Sequence, residues 1–207
     1  MQRRDYDAWR SRPKVLLGYS DLTALHSAIG ALADLVTFHG PTARSELPPL
    51  SLDSLKRAIS GADPCGQAEG AQTLHAGRAR GRLVGGNLSL LSALSGTPYA
   101  PSFEDAILVL EDVNESGYRV DRMLTQLRLS GRLARCRGVV FGGFTAIPPE
   151  PGDAERPMDA ILHEFAATIG VPCIARAPIG HISEQWTLPF GALAELDADD
   201  RRVSVLW

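Results

Sequence analysis

The chain has 207 residues, a formal net charge of −3 and a hydrophobic fraction of 44%, which together indicate an ordinary globular protein of one large or two small domains. The near-neutral charge, without a dense run of basic residues, argues against a nucleic-acid partner, and three cysteines without C-x-x-C spacing argue against a disulfide framework or a zinc site. The first residues lack the apolar segment of a signal peptide and no stretch has the length and apolarity of a membrane span, so we predict a location in the cytoplasm and no membrane partner.

The segment at residues 14–33 changes character near its middle. Residues 14–18 contain a short apolar run bounded by proline and glycine, which predicts a buried strand. Apolar residues recur at helical spacing over residues 21–33 and predict a helix. Ser20 therefore falls on a tight strand-to-helix turn, where free backbone N–H groups favour negative charge. That position suits a nucleophile, but serine is also a good helix cap, and the turn alone favours the cap.

The next elements complete a first structural unit. Residues 35–38 predict a second strand, and two strands flanking a helix indicate a βαβ unit with a parallel sheet. Residues 51–76 have a looser composition around one short helical stretch and are interpreted as a linker. The sequence thus predicts an α/β protein, with a partial parallel-sheet N-terminal domain at residues 1–50 and a mixed β/α C-terminal domain at residues 77–207.

In the predicted C-terminal domain, strands and helices alternate. The apolar segments predict strands at residues 81–86, 106–110, 139–144, 171–174, 192–196 and 203–206. Helical periodicity predicts helices at residues 87–94, through residues 120–127 with an end at Gly131, and at residues 158–169. A proline-rich acidic loop is predicted at residues 147–157. The glycine pair at residues 85–86 suits close backbone packing better than a phosphate site.

Three polar residues stand where apolar segments give way to loops. Glu111 ends the strand at residues 106–110 and opens an acidic stretch that also contains Glu115, at the kind of strand end where α/β sheets bind ligands. His181 follows a glycine at the mouth of a loop. With Ser20, these are the residue types of a nucleophile, an orienting acid and a general base. On residue type alone this is modest evidence, because such residues are common at strand ends.

The sequences of the segments around these three residues closely resemble those of the LD-carboxypeptidases of bacteria. The resemblance is carried by GYSDLTAL at residues 18–25, LEDVNESGYRVDRML at residues 110–124, GHISEQWTLPFG at residues 180–191, and the shorter matches FHGP at 38–41 and GGNL at 85–88. It extends nearly from end to end of the chain. It implies a serine peptidase in which Ser20 is the nucleophile, His181 the base and Glu111 the orienting acid. Glu115 is the rival for the acid role, and Glu111 is preferred because it directly ends the strand.

The resemblance also implies an activity and its setting. Typical family members cut the bond between meso-diaminopimelate and the terminal D-alanine of murein tetrapeptides during cytoplasmic cell-wall recycling. We therefore expect a muropeptide substrate, a homodimer, and no cofactor or metal. The backbone N–H of Asp21, directly after the serine, would be one donor of the oxyanion hole.

One departure from the family pattern bears on activity. Family members carry several strand–helix units before the segment that matches residues 18–21, including a glycine-rich turn that supplies a second oxyanion donor. We expect low activity and poor solubility of a chain without those units. Two alternatives stay open: hydrolysis of microcin C-type peptidyl-nucleotides, and a non-catalytic fragment that binds a partner chain or a muropeptide.

Overall fold

The structure, a computed structural model, describes residues 6–147 and 156–207. Six α-helices lie in these residues: α1 (Tyr6–Ser11), α2 (Thr23–Ala33), α3 (Pro49–Ser60), α4 (Leu88–Leu94), α5 (Gly117–Leu129) and α6 (Met158–Ile169). Eleven strands accompany them: β1 (Leu17–Gly18), β2 (Thr37–His39), β3 (Gly66–Gln67), β4 (Gln72–His75), β5 (Arg78–Asn87), β6 (Ala106–Val113), β7 (Gly138–Thr145), β8 (Cys173–Ala175), β9 (Leu188–Phe190), β10 (Leu193–Asp197) and β11 (Arg202–Leu206). The fold class is α/β, as predicted.

The strands form two sheets. The smaller sheet has the order β1-β2-β9, and the larger has the order β3-β11-β10-β5-β6-β7-β8-β4. Strands β5 to β8 run parallel and form the centre of the larger sheet, while antiparallel strands lie on both sides of them. In the smaller sheet, β1 and β2 are parallel across α2, which confirms the predicted βαβ unit.

Both faces of the central parallel strands are covered. Residues 106–112 of β6 are all buried, as expected for a parallel strand whose sequence is almost continuously apolar. Its alternate residues belong to two separate cores: Leu108 packs with residues of α4, α5 and α6, whereas Val109 packs with the segments on the opposite face. The end of β6 is therefore enclosed on both sides, which places any polar residue there in a buried environment.

The first strand is shorter and less buried than the sequence predicts. The expected strand at residues 14–18 is reduced to Leu17–Gly18, and the side chain of Val15 is 67% exposed. Among the described residues β1 pairs with β2 alone, so Val15 has no neighbouring strand to cover it. The second strand lies at Thr37–His39 rather than residues 35–38, and Val36 is partly exposed.

The segment predicted as a linker contains regular structure. Helix α3 begins at Pro49, where a proline is tolerated because the first helical N–H groups have no partner within the helix. The short strands β3 and β4 occupy the two ends of the larger sheet. Ser51 Oγ and Ser54 Oγ, on α3, accept hydrogen bonds from Gln185 N at 2.9 Å and Thr187 N at 2.8 Å. Helix α3 thus holds the chain that follows the His181 loop.

Strand β9 was not predicted, because three residues containing a proline carry no strand signal. It pairs with β2 at the edge of the smaller sheet. Proline is tolerated on an edge strand, although it has no N–H to donate to a neighbouring strand. The chain after it continues to β5: Gly191 N donates to Leu83 O at 2.8 Å and Leu83 N donates to Ala192 O at 2.9 Å. This segment links the two sheets.

The remaining predictions follow the structure closely. Strands β5, β7, β8, β10 and β11 and helices α4 and α5 lie within a few residues of their expected ranges, and α6 spans the expected residues 158–169. The proline-rich loop predicted at residues 147–157 lies largely outside the described residues. None of the helices in residues 6–147 and 156–207 combines the length and apolar character that crossing a bilayer requires.

Candidate active site

Ser20 occupies a strained turn between β1 and α2. Its φ angle is 62°, in the left-handed region that costs a residue other than glycine about 1–3 kcal/mol. Tyr19, not Ser20, is the cap residue of the 3-10 turn Ser20–Leu22, and Ser20 Oγ has no hydrogen-bond partner among the described residues. The serine therefore does not serve as a side-chain cap, and its hydroxyl is left for another partner.

The start of α2 is fixed against the end of β5, which sets where this turn lies. Thr23 Oγ1 accepts a hydrogen bond from Asn87 N at 3.0 Å. A β-carbon at Gly86 would lie 2.5 Å from the same oxygen, so the glycine is needed for the close approach. The structure thus supports close packing, rather than phosphate binding, as the use of this glycine.

His181 and Glu111 are in direct contact. His181 Nδ1 lies 2.7 Å from Glu111 Oε2, and the glutamate side chain is fully buried. A carboxylate oxygen accepts, so Nδ1–H is the donor, which leaves Nε2 with the lone pair that a general base needs. The contact joins the end of β6 to the loop after β8 and fixes both the tautomer and the orientation of the imidazole.

Gly180 permits this contact. Its φ angle is 95°, and a β-carbon at this position would lie 2.7 Å from Glu111 Cβ and Cγ. The loop is also held from the other side, because Thr145 Oγ1 donates to His181 O at 3.2 Å. Absence of a side chain at residue 180 lets the histidine backbone pass directly over the buried carboxyl group.

The other acids near the end of β6 have different partners. Asp112 accepts hydrogen bonds from Asn87 Nδ2 at 2.8 Å and Ser89 N at 2.9 Å, at the start of α4. Glu115 lies 3.4 Å from Ser89 Oγ and 3.5 Å from Arg119 Nη1. Because successive strand residues point to opposite faces, Glu111 and Asp112 face different sides of the sheet. Of the two rival acids, the structure places Glu111 against His181 and Glu115 elsewhere.

Tyr19 brings the serine turn to the histidine. Its ring lies edge-on to the His181 imidazole, with centroids 4.8 Å apart, and 6.4 Å from the ring of His39. The residue directly before Ser20 therefore contacts the candidate base. Sequence reasoning did not single out Tyr19, since an aromatic residue after a glycine carries no chemical signal until its contact is known.

His39, part of the FHGP match at residues 38–41, is a fully buried residue near the site. Burial, together with the charges of the nearby His26 and His181, lowers the pKa of His39 from 6.5 to about 3. Neither ring nitrogen has a hydrogen-bond partner among the described residues. Its ring lies 5.2 Å from that of Phe190, so it acts as a neutral aromatic filler.

Replacing His39 by phenylalanine should make the protein less sensitive to acid. The unfolded chain gains a proton at His39 below about pH 6.5, but the folded chain does so only near pH 3. The stability that this residue contributes is therefore complete above pH 6.5 and falls as the pH drops toward 3, by about 2 kcal/mol between pH 7 and pH 5. Urea unfolding at the two pH values should show a smaller loss for His39→Phe. An unchanged loss, or an equal change for the exposed His75→Phe, would contradict this account.

Two cavities lie near these elements. One of about 390 Å³ lies at the carboxyl ends of β7 and β8 and is lined in part by Ile182, next to His181. Another of about 280 Å³ lies between α2, β2 and β5 and is lined by His26 but by none of Ser20, Glu111 or His181. Within the described part of the chain, no group of three or more histidine, cysteine, aspartate or glutamate residues is arranged to hold a metal ion.

The chain resembles known proteins in both sequence and structure. Residues 80–196 match the model of the LD-carboxypeptidase C-terminal domain, and residues 1–40 match that of the LD-carboxypeptidase N-terminal domain. The murein tetrapeptide carboxypeptidase of Pseudomonas aeruginosa is 34% identical to this chain, over 92% of the chain and 65% of that protein. The microcin C7 self-immunity protein MccF of Escherichia coli is 27% identical, over 97% of the chain and 68% of that protein.

A solved structure shows the same fold. The crystal structure of muramoyltetrapeptide carboxypeptidase from Oxalobacter formigenes is similar to this chain with a TM-score of 0.84 and 27% sequence identity, covering 97% of this chain and 71% of the other. The chain spans 63–65% of the length of the first curated relatives it matches.

Proposed function

Because the chain belongs to the LD-carboxypeptidase family, we propose that it hydrolyses the L,D-peptide bond before the terminal D-alanine of murein tetrapeptides, in cell-wall recycling in the cytoplasm. The observation that supports this most directly is the 2.7 Å contact between His181 Nδ1 and the buried Glu111. Tyr19 joins that pair to the strained Ser20 turn. The proposal includes a muropeptide substrate, serine-type catalysis and a homodimeric assembly.

Each residue has one role in the proposed reaction. Ser20 Oγ attacks the carbonyl carbon of the residue before D-alanine while His181 Nε2 takes the hydroxyl proton. The N–H of Asp21, in the first turn after the serine, donates to the oxyanion. His181 returns the proton to the amine of D-alanine, which leaves, and the acyl group stays on the serine. A water molecule, deprotonated by the same nitrogen, then releases the shortened peptide.

Glu111 supports the base in both halves of the reaction. Its carboxylate accepts from Nδ1–H, so it stabilises the imidazolium that forms each time Nε2 takes a proton. Full burial strengthens that interaction, since no water competes for the carboxylate. The acid orients and stabilises His181 and does not itself contact the substrate.

The experiment is a release assay on L-Ala-γ-D-Glu-meso-diaminopimelate-D-Ala. The chain is incubated with this tetrapeptide and free D-alanine is measured over time, with the heat-denatured protein as the blank. We expect equimolar D-alanine and tripeptide. A protein that leaves the tetrapeptide intact at every concentration tested would contradict the proposal.

The similarity to the microcin C7 self-immunity protein supports a second candidate, hydrolysis of a peptidyl-nucleotide by the same residues. The chemistry differs in the group that leaves the acyl carbon and in the surface that holds a nucleotide. Parallel assays with the tetrapeptide and a peptidyl-nucleotide distinguish the two. Faster turnover of the peptidyl-nucleotide would favour the second candidate.

Replacing Glu111 by glutamine should impair turnover far more than the same change at Glu115. In Glu111→Gln the amide can present its NH₂ group to Nδ1 and select the wrong imidazole tautomer, for which we expect a loss in kcat of about 10²–10⁴-fold. Glu115 contacts Ser89 and Arg119 instead, so Glu115→Gln serves as the matched control and should change kcat by about threefold or less. Equal losses of kcat in the two variants, measured by D-alanine release, would exclude Glu111 as the acid that orients His181.

A further inference from the structure

The cavity of about 390 Å³ next to the His181 loop contains an ion pair that takes no part in the proposed reaction of Ser20, Glu111 and His181. It lies at the carboxyl ends of the parallel strands β7 and β8, where α/β sheets bind ligands. Thr145 and Ile182 line it, the first donating a hydrogen bond to His181 O and the second following His181 directly. The cavity therefore borders the loop that carries the base, although the His181 side chain does not line it.

The wall of this cavity combines apolar surface with a pair of opposite charges. Its apolar lining comes from Phe144, Ile147, Met158, Leu162 and Ile182. Arg176 Nη2 and Asp159 Oδ2 also line it and form an ion pair, with side chains 59% and 50% exposed. Such exposed pairs add little to stability. The guanidinium has five N–H donors and the carboxylate has several acceptor positions, so both retain bonding capacity beyond their mutual contact.

The backbone at Arg176 is held in an unfavourable conformation. Its φ angle is 62°, where glycine is relaxed and other residues store strain of about 1–3 kcal/mol. Asp159 stands in the first turn of α6, a position that favours a negative charge. The two charges thus come from separate elements, the chain after β8 and the start of α6, and meet at one cavity.

We propose that Arg176 and Asp159 bind the zwitterionic head group of an amino acid at the end of a substrate side chain. Arg176 would pair with its carboxylate and Asp159 with its ammonium group, while the apolar wall contacts the methylene chain that leads to it. This inference rests on the proposed function, because meso-diaminopimelate, the residue before the scissile bond, ends in such a head group. Lysine at the same place offers the ammonium group alone, so the cavity would discriminate between the two peptides.

Binding of product-like tripeptides tests the site without catalysis. L-Ala-γ-D-Glu-meso-diaminopimelate and L-Ala-γ-D-Glu-L-Lys lack the D-alanine bond, and their affinities for the unmodified chain can be compared by calorimetry. We expect the diaminopimelate peptide to bind about 10- to 100-fold more tightly, the range for an additional hydrogen-bonded charge pair.

The variant Arg176→Gly removes the guanidinium at a position where glycine relaxes the backbone, so a change in binding would not reflect unfolding. It should lower the affinity for the diaminopimelate peptide about 10-fold or more and leave the affinity for the lysine peptide unchanged. Asp159→Asn should lower the affinity for both peptides, since both carry the ammonium group. Arg135→Ala is the matched control, because Arg135 is similarly exposed and ion-paired with Asp105 but does not line this cavity.

Three results would overturn the site: equal affinity of the unmodified chain for the two tripeptides, an equal loss for both in Arg176→Gly, or no binding of either. Failure of the proposed function has a different signature. In that case the tetrapeptide releases no D-alanine, while the unmodified chain still prefers the diaminopimelate tripeptide and loses that preference in Arg176→Gly.

Discussion

Replacing Ser20 by alanine should abolish turnover without unfolding the protein. Loss of a nucleophilic serine from a working triad typically costs about 10⁴–10⁶ in kcat, because the base then has no hydroxyl to activate. The stability should change by less than about 1 kcal/mol, since among the described residues the side chain has no hydrogen-bond partner that an alanine would lose. D-alanine release and urea unfolding, measured on the same preparation, check both parts.

Ser20→Gly separates catalysis from structure more sharply. Glycine adopts a φ angle of 62° freely, so this variant should be as stable as the unmodified chain, or more stable by up to about 1 kcal/mol. It should be as inactive as the alanine variant. Lost activity with equal or higher stability is the result expected if the strained backbone at Ser20 is kept for catalysis and not for folding. An active Ser20→Gly or Ser20→Ala protein would exclude the serine as the nucleophile.

Gly180→Ala should impair both stability and turnover, although residue 180 takes no part in the chemistry. The added methyl group would lie 2.5 Å from Glu111 Oε2 and 2.7 Å from Glu111 Cβ. Glu111 is fully buried at the end of a central strand and cannot yield. The His181 loop must move away instead, which breaks the contact with the acid. We expect a loss of a few kcal/mol in stability and of about 10² or more in kcat.

A matched glycine separates the clash from the backbone strain. Gly96 has a φ angle of 83°, close to the 95° of Gly180, but a β-carbon there would meet nothing within 4 Å. Gly96→Ala should therefore show the strain alone, about 1 kcal/mol, with unchanged kcat. If Gly180→Ala lowered the free energy of unfolding and kcat no more than Gly96→Ala does, the close approach of the loop to Glu111 would not be required for stability or turnover.

Elements with long, uniform patterns could be predicted from the sequence. Helix α6 spans the expected residues 158–169, and the apolar run at residues 106–110 is the first part of β6. These segments satisfy their hydrophobic periodicity locally, so neighbours change their boundaries little. Shorter elements escaped notice, since β3, β4 and β9 have two to four residues and owe their strand conformation to pairing with distant chain.

The candidate site divides in the same way. The residue types and strand-end positions of Ser20, Glu111 and His181 were visible in the sequence, and so was the rivalry between Glu111 and Glu115. Spacing along the chain could not decide between the acids, because both follow the predicted strand at residues 106–110. The end of β6 at Val113 decides it: Glu111 lies within the strand, under the His181 loop, whereas Glu115 lies beyond the strand and contacts Ser89 and Arg119.

By itself the sequence determined the α/β class, the order of most elements and the family motifs, because these depend on local periodicity and residue identity. The tertiary structure decided which distant residues meet: the acid with a base 70 residues away, Tyr19 with the same imidazole, and Arg176 with Asp159 at one cavity. Such meetings depend on the order of strands in the sheets and on the path of each loop over them. Those are set by the burial of the whole chain, which no short segment encodes.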